Sequence, residues 1–250
     1  MTLRTALRWI CRTGIAALAL AVAIPPAEVM FVRFVDPPLT LTMVDRAWTH
    51  GVETGEWAWV DYRPRSLGEL GGNAARAAVS SEDARFWLHH GFDWEALCSA
   101  LEHYGDGGKV RGGSTISQQV AKNVFLWQTR SWVRKGLEGV YTGLLELLVP
   151  KSRILELYLN VAETGQMTFG FEAGAERYWK LPSRKLSYAQ AAGVAAVLPS
   201  PQKWSPGREP AAGRAKWILA NPAPFPGDPG WEALASDWAE HGPSPLDCLR

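Results

Sequence analysis

The sequence predicts a mainly α-helical protein, and three observations carry that expectation. From Ala74 onward apolar residues recur at helical spacing in one segment after another, while sustained period-2 alternation is absent. Glycine and proline clusters fall where those segments should stop. The chain also opens with an apolar stretch that reads as a helix. Its uncharged run is shorter than the roughly 20 residues of a full membrane span and resembles a signal-peptide core as much as an anchor.

The elements follow in chain order. Residues 1–12 carry Arg4, Arg8 and Arg12, and no charge then occurs from Thr13 to Ala27. Glu28 and Arg33 interrupt the apolar character before it ends at Val35. A full span needs about 20 apolar residues, and the pattern predicts a tilted or kinked helix over Thr13–Val32. We read residues 13–35 as an uncleaved transmembrane signal anchor and residues 1–12 as a basic cytoplasmic tail. Arginines ahead of a span hold the N-terminus inside and place the remainder outside. A cleaved signal peptide and a buried core helix are the two alternatives.

Asp36-Pro37-Pro38 makes a stiff exit, and residues 40–65 are rich in tryptophan. Helices are then expected over Ala74–Trp87, Phe92–Tyr104, Ser114–Leu126, Trp132–Val149, Ser152–Val161, Phe171–Trp179 and Ser187–Leu198. Ser187 and Gln190 have capping-box spacing. Residues 36–217 are thus the globular domain. Residues 218–250 are too rich in Pro and Gly to enter a packed core, and read as a surface tail with a short helix near Trp231–Trp238.

Composition narrows the function classes. Of 250 residues 47% are hydrophobic and 20% charged, enough for a real core, and a net charge of +1 gives no reason to expect nucleic acid. Thirteen tryptophans suit a membrane interface or a sugar-binding cleft. Cys11, Cys98 and Cys248 are too scattered for a disulfide framework or a metal site. We expect separate free thiols, with a Cys98–Cys248 bridge as the alternative in an oxidising compartment.

Four motifs carry chemistry. The first is Glu82-Asp83-x-x-Phe86-x-x-His89-x-Gly91. Two carboxylates near a helix C-terminus oppose the helix dipole, so their placement asks for a reason. A carboxylate over a cleft can act as a general base. The plain alternative is pairing with Arg76 or Arg85 on a solvated face. The second is Gly112-Gly113-Ser114-Thr115-Ile116-Ser117-Gln118-Gln119, followed by Lys122-Asn123. Glycines leading into a helix start suggest an anion site, and Gln118/Lys122 and Gln119/Asn123 are spaced i,i+4. Ordinary N-capping by Ser114 is the plain alternative there. The third adds Arg130 to Arg134-Lys135-x-x-Glu138, where Arg134 and Glu138 could simply be a helical ion pair. The fourth, Lys151-x-x-Ile154-Leu155-Glu156-x-Tyr158-x-Asn160, reads chiefly as scaffold.

In this order the four motifs resemble the peptidoglycan glycosyltransferase family, the transferase domain of penicillin-binding proteins. The match covers residues 70–205. Later stretches such as Ala196-Val-Leu-Pro-Ser-Pro-Gln-Lys-Trp204 are similar to its monofunctional biosynthetic branch. Ser200-x-x-Lys203 has no Lys-Thr-Gly downstream, which argues against a transpeptidase.

The resemblance implies a lysozyme-like helical lobe with a small membrane-facing subdomain, in the bacterial inner membrane with its catalytic domain in the periplasm. It implies polymerisation of lipid II into linear β-1,4 glycan strands with release of undecaprenyl pyrophosphate. Carried over by position, Glu82 is the general base and Glu138 the second essential acid. The substrate would be bound by Phe86, His89, Gly113, Ser114, Thr115, Gln118, Gln119, Lys122, Asn123, Arg130, Arg134 and Lys135. No cofactor is required, although a divalent cation (Mg or Mn) is compatible. Its partners would be the lipid II donor, the growing glycan acceptor, membrane lipid and cell-wall assembly proteins. Val124-Phe125-Leu126-Trp127 is expected to dip into the bilayer to receive the lipid chain. A departure is Gly136, Gly139 and Gly143 on the Glu138 helix, which cost about 1 kcal/mol each in helix propensity. The rival readings are a muramidase or lytic enzyme on a similar fold, and a catalytically dead scaffold.

Overall fold

The computed structural model describes residues 3–105, 113–129 and 131–244 and is mainly helical. Helix α1 (Leu3–Val32) runs unbroken through Pro25 and Pro26, and its region Arg12–Phe34 is apolar and long enough to cross a membrane. Only 12% of that window is buried, which is not the environment of a core helix. Its last turns nevertheless dock on the domain. Val29 and Val32 join the core, the Tyr141 hydroxyl donates to Glu28, and Arg33 donates to the Leu148 carbonyl at 2.6 Å. Arg153 closes the junction by donating to the Val32 carbonyl at 3.0 Å and to Asp36 at 2.7 Å.

Helix α2 (Leu41–Thr54) was not expected from the sequence. The Thr40 hydroxyl caps the Met43 N–H at its start, and left-handed Gly55 ends it. Beside it lies a small sheet of β1 (Asp61–Tyr62), β2 (Glu163–Gly165) and β3 (Thr168–Phe169), in the order β1-β3-β2. β1 pairs parallel and β2 antiparallel to β3. Met43, Val60 and Phe169 form a separate minor core here, with Trp48, Trp57 and Trp59 exposed nearby. Strands of two or three residues are too short to leave an alternating signal.

The main lobe contains α3 (Leu67–Leu70), α4 (Gly72–Glu82), α5 (Trp94–Gly105), α6 (Ile116–Phe125), α7 (Trp132–Leu148), α8 (Lys151–Val161), α9 (Phe171–Trp179), α10 (Tyr188–Ala196) and α11 (Ala211–Ala220). Helix α8 is its axle: Ile154, Leu155, Leu157, Tyr158 and Leu159 are all buried. Burial of each such aliphatic side chain contributes about 1.5–3 kcal/mol. Asn160 ties α8 to the segment before α3, accepting from the Arg65 N–H at 3.0 Å and donating to its carbonyl at 2.9 Å. The fourth motif is therefore scaffold, as expected. Alanines dominate the buried faces of α4 and α10, so these helices pack closely. The predicted Ser187–Gln190 capping box is present.

Three expectations need correction. The helix expected over Ala74–Trp87 stops at Glu82, because Asp83 leaves helical backbone to make distant hydrogen bonds described below. Residues 221–228 do join the packed lobe. Ala223 is buried, Phe225 packs edge-on against Trp87, and Asp228 pairs with Arg76 at 2.6 Å. Only α12 (Trp231–His241), which has no buried residue, behaves as a surface appendage. Cys98 is disulfide-bonded, so the expectation of separate free thiols fails for it.

Candidate active site

Glu82 ends α4 at the rim of a cavity of about 1110 Å³. Its carboxylate is gripped at both oxygens. Oε1 accepts from Arg214 at 2.9 Å and from the Ser81 hydroxyl at 3.1 Å, while Oε2 accepts from Gln119 Nε2 at 3.1 Å. The solvated pairing with Arg76 or Arg85 does not occur, since Arg76 binds Asp228 and Arg85 binds Asp93 and Glu95. Gly113, Ser114, Gln119 and Lys122 line the same cavity, together with Trp204, Trp217, Leu198 and Pro199.

Helix α6 delivers Gln119 and Lys122 because they sit three residues apart on one helical face. Lys122 makes no ion pair within 4 Å among the described residues. Burial pulls its ammonium below the ordinary lysine pKa. Arg134 and Lys135 add to the fall, while Glu138 and Glu82 oppose it. Asn123 lies beyond it, lining a smaller polar cavity of about 160 Å³ that shares Gln119 and Lys122 with the first.

Behind this wall lies Glu138, buried to 3% exposure. Arg134 binds one of its oxygens at 2.7 Å and Lys135 binds the other. The helical ion pair anticipated for Arg134 and Glu138 is real, but it is buried, and Glu138 does not line the large cavity. Arg134 and Lys135 thus share this carboxylate, while Lys122, which feels both Glu138 and Glu82 at longer range, pairs with neither within 4 Å. Arg130 lies outside the described residues.

Several of the predicted substrate-binding residues make internal contacts. Thr115, not Ser114, is the N-cap of α6. Its hydroxyl accepts from the Gln118 N–H at 3.2 Å, and the Gln118 side chain returns to the Thr115 N–H at 3.0 Å. That capping box uses the side-chain oxygen of the buried Gln118 and leaves Ser114 exposed on the cavity. The expected anion site at this helix start already holds an anion. Asp83 accepts the Ile116 N–H at 2.9 Å, satisfying a donor that would otherwise be orphaned. Asp83 also binds His89 Nε2 at 2.9 Å, while His89 Nδ1 accepts from the Gly91 N–H at 3.1 Å. These partners fix the imidazole proton on Nε2. Gly91 is required here: its φ is +91°, and a Cβ would lie 2.9 Å from Thr142. Phe86 is fully buried with the Lys151 ammonium 4.3 Å above its ring. His89 and Phe86 therefore brace the site from behind and do not face the large cavity.

The segment Val124–Trp127 is partly folded against its neighbours. Leu126 is buried, and Phe125 stacks on Tyr141 with centroids 4.5 Å apart, so only Trp127 projects outward. Val124 and Phe125 wall an apolar cavity of about 450 Å³ with Ile24, Phe31 and Val32 of α1.

Sequence reasoning missed Arg214 and Trp217, because no helix was read over 211–220. Pro210 followed by an alanine-rich run is a helix-start signal that could have revealed it.

A family model for transglycosylases matches residues 52–222. The chain is 45% identical over 236 residues to the biosynthetic peptidoglycan transglycosylase of Xanthomonas oryzae pv. oryzae, covering 89% of this chain and 93% of that one. The protein of the same name from Xanthomonas axonopodis pv. citri is 46% identical over 222 residues, covering 86% and 88%. That of Xylella fastidiosa is 46% identical over 205 residues, covering 79% and 81%. The chain belongs to the transglycosylase family. All four motifs and the α11 helix fall inside the matched transglycosylase region.

Proposed function

We propose that this transglycosylase polymerises lipid-pyrophosphate-linked disaccharide (lipid II) into β-1,4 glycan strands for the cell wall, and releases undecaprenyl pyrophosphate. It is a membrane-anchored enzyme, and Arg4, Arg8 and Arg12 in the N-terminal turns of α1 favour a periplasmic catalytic domain. The observation that carries the mechanism is that the Glu82 carboxylate and the Lys122 ammonium line one cavity.

A glycosyl diphosphate already contains a good leaving group, so a general acid is unnecessary. What the reaction needs is a base at one end of the new bond and positive charge at the other. Glu82 takes the proton from the 4-hydroxyl of the acceptor N-acetylglucosamine. That oxygen bonds to C1 of the donor N-acetylmuramic acid, and the C1–O electron pair leaves with the diphosphate. Inversion follows from the single displacement. Lys122 receives the developing charge, with Arg130 as a further cation carried over from the family motif. Glu138 serves by holding Arg134 and Lys135, not by touching the sugar. Gly113, Ser114, Gln119 and Asn123 supply polar contacts to donor and acceptor. The reading assigns the protein no cofactor, and any divalent cation would ride on the substrate diphosphate. The polyprenyl chain leaves the cavity along the apolar cleft between α1 and α6, whose Val124 and Phe125 lie within a turn of Lys122.

A hydrolase on this scaffold would have no use for the cation cluster around Glu138, and a dead scaffold would have no need to keep Glu82 gripped in an open cavity. The decisive experiment incubates full-length protein in detergent or liposomes with labelled lipid II. Glycan polymer is expected from the wild type, and Glu82→Gln should reduce kcat by about 1000-fold. Full activity of Glu82→Gln would refute the base assignment, and shortening of added glycan would mark a hydrolase.

A further inference from the structure

We propose that Arg214 is a positioning residue for catalysis, holding the Glu82 carboxylate so that Oε2 alone takes the acceptor proton. This deepens the reading of Glu82 as the base and rests on it.

The argument begins with lone pairs. Each carboxylate oxygen can accept about two hydrogen bonds. Oε1 already has two donors within 3.1 Å, Arg214 Nη2 and the Ser81 hydroxyl. Oε2 has one, Gln119 Nε2 at 3.1 Å. The acceptor hydroxyl therefore finds its vacancy on Oε2. An arginine does not exchange its proton at neutral pH, so Arg214 fixes charge and direction without entering the proton transfer.

Arg214 is itself held in place. The same Nη2 reaches the Ser81 carbonyl at 2.7 Å, so one guanidinium nitrogen ties the carboxylate to the backbone of the last turn of α4. That turn lacks intrahelical partners for its carbonyls, and a cation there also offsets the helix dipole that would disfavour Glu82. The chain after α11 grips α4 again. The Ala223 N–H donates to the Ser80 hydroxyl at 2.8 Å, and Arg76 binds both oxygens of Asp228 at 2.6 and 2.8 Å. Residues 211–228 thus form a brace across α4, with Arg214 as its contact with the base. A misaimed base loses rate at the chemical step while substrate binding elsewhere in the cavity persists.

The test compares Arg214→Ala, Arg214→Gln and Arg214→Lys in full-length protein, with kcat and KM measured on lipid II and melting temperature as a folding control. Arg214→Ala should lose about 100-fold in kcat with KM within about threefold. Arg214→Lys should recover at least about tenfold over Arg214→Gln, and added guanidinium should raise the rate of the folded Arg214→Ala enzyme. If Arg214→Ala does not fold, the Lys-against-Gln difference decides. A kcat within about twofold of wild type, a loss confined to KM, or equal rates for Lys and Gln would overturn the proposal. Glu82→Gln separates the two ideas. An active Glu82→Gln enzyme removes the base itself, whereas an inactive one beside an unimpaired Arg214→Ala enzyme removes only the positioning role.

Discussion

The wall of the cleft and the layer behind it are built from neighbouring residues of the same two segments. Glu82, Gln119 and Lys122 face the large cavity. Asp83, Gln118 and Ser117, beside them in sequence, face inward: Asp83 bonds His89 and the start of α6, Gln118 closes the capping box, and Ser117 donates to Glu146. Lys151 completes the inner layer by binding Glu146 at 2.9 Å. The front layer keeps an accepting position on Oε2 of Glu82 and a Lys122 ammonium with no ion pair within 4 Å among the described residues. In the rear layer, by contrast, Asp83, Ser117 and the Gln118 side-chain oxygen are bonded internally. A motif can therefore be continuous in sequence and still divide, residue by residue, between chemistry and support.

Substitutions should separate the layers, front ones changing rate and rear ones changing stability. The largest contrast is expected within the acidic pair. Glu82→Gln should lower kcat about 1000-fold at nearly unchanged melting temperature. Asp83→Asn should cost about 2 kcal/mol of stability, since a buried acceptor of the Ile116 N–H and His89 is weakened. Denaturant titration beside steady-state kinetics checks both, and equal effects on both readouts would erase the distinction.

Lys122 gives the next largest effect and a change of sign. Burial lowers its pKa, so the folded protein binds that proton less tightly than the unfolded chain does. Its contribution to stability then rises with pH between the depressed folded pKa and the ordinary value of 10.5. Lys122→Met should reduce kcat/KM about 100-fold yet melt higher than wild type at neutral pH, with the difference shrinking as pH is raised. A lower melting temperature for Lys122→Met would mean that the ammonium is satisfied in the fold.

The adjacent glutamines give the smallest contrast. Gln118→Ala should cost about 1 kcal/mol through the lost cap and leave KM little changed. Gln119→Ala should cost about tenfold in kcat through the freed Oε2, with stability retained. Reversed phenotypes, measured by the same two assays, would reverse the assignment of layers at α6.

Much of the fold was legible because helices are local. Periodicity, capping spacing and proline stops placed α7 to α10 within one or two residues, since every signal for them lies inside the segment. Elements defined by distant partners were not legible in that way. The early end of α4 depends on Asp83 reaching α6, and β1 depends on pairing with β3 across about 100 residues. Residues 221–228 read as a tail because proline and glycine suggest poor packing, yet Ala223, Phe225 and Asp228 fit pockets formed by other helices.

The sequence by itself determined the helical class, the apolar N-terminal helix, and which side-chain types were available: Glu82, the glutamine pair, Lys122 and the Arg134–Glu138 pair. Only the tertiary structure decided which of them face a ligand, because adjacent residues on a helix point about 100° apart and packing alone selects the open side. It likewise brought in Arg214, 132 positions from Glu82, because a hydrogen bond needs proximity in space and leaves no mark in spacing along the chain.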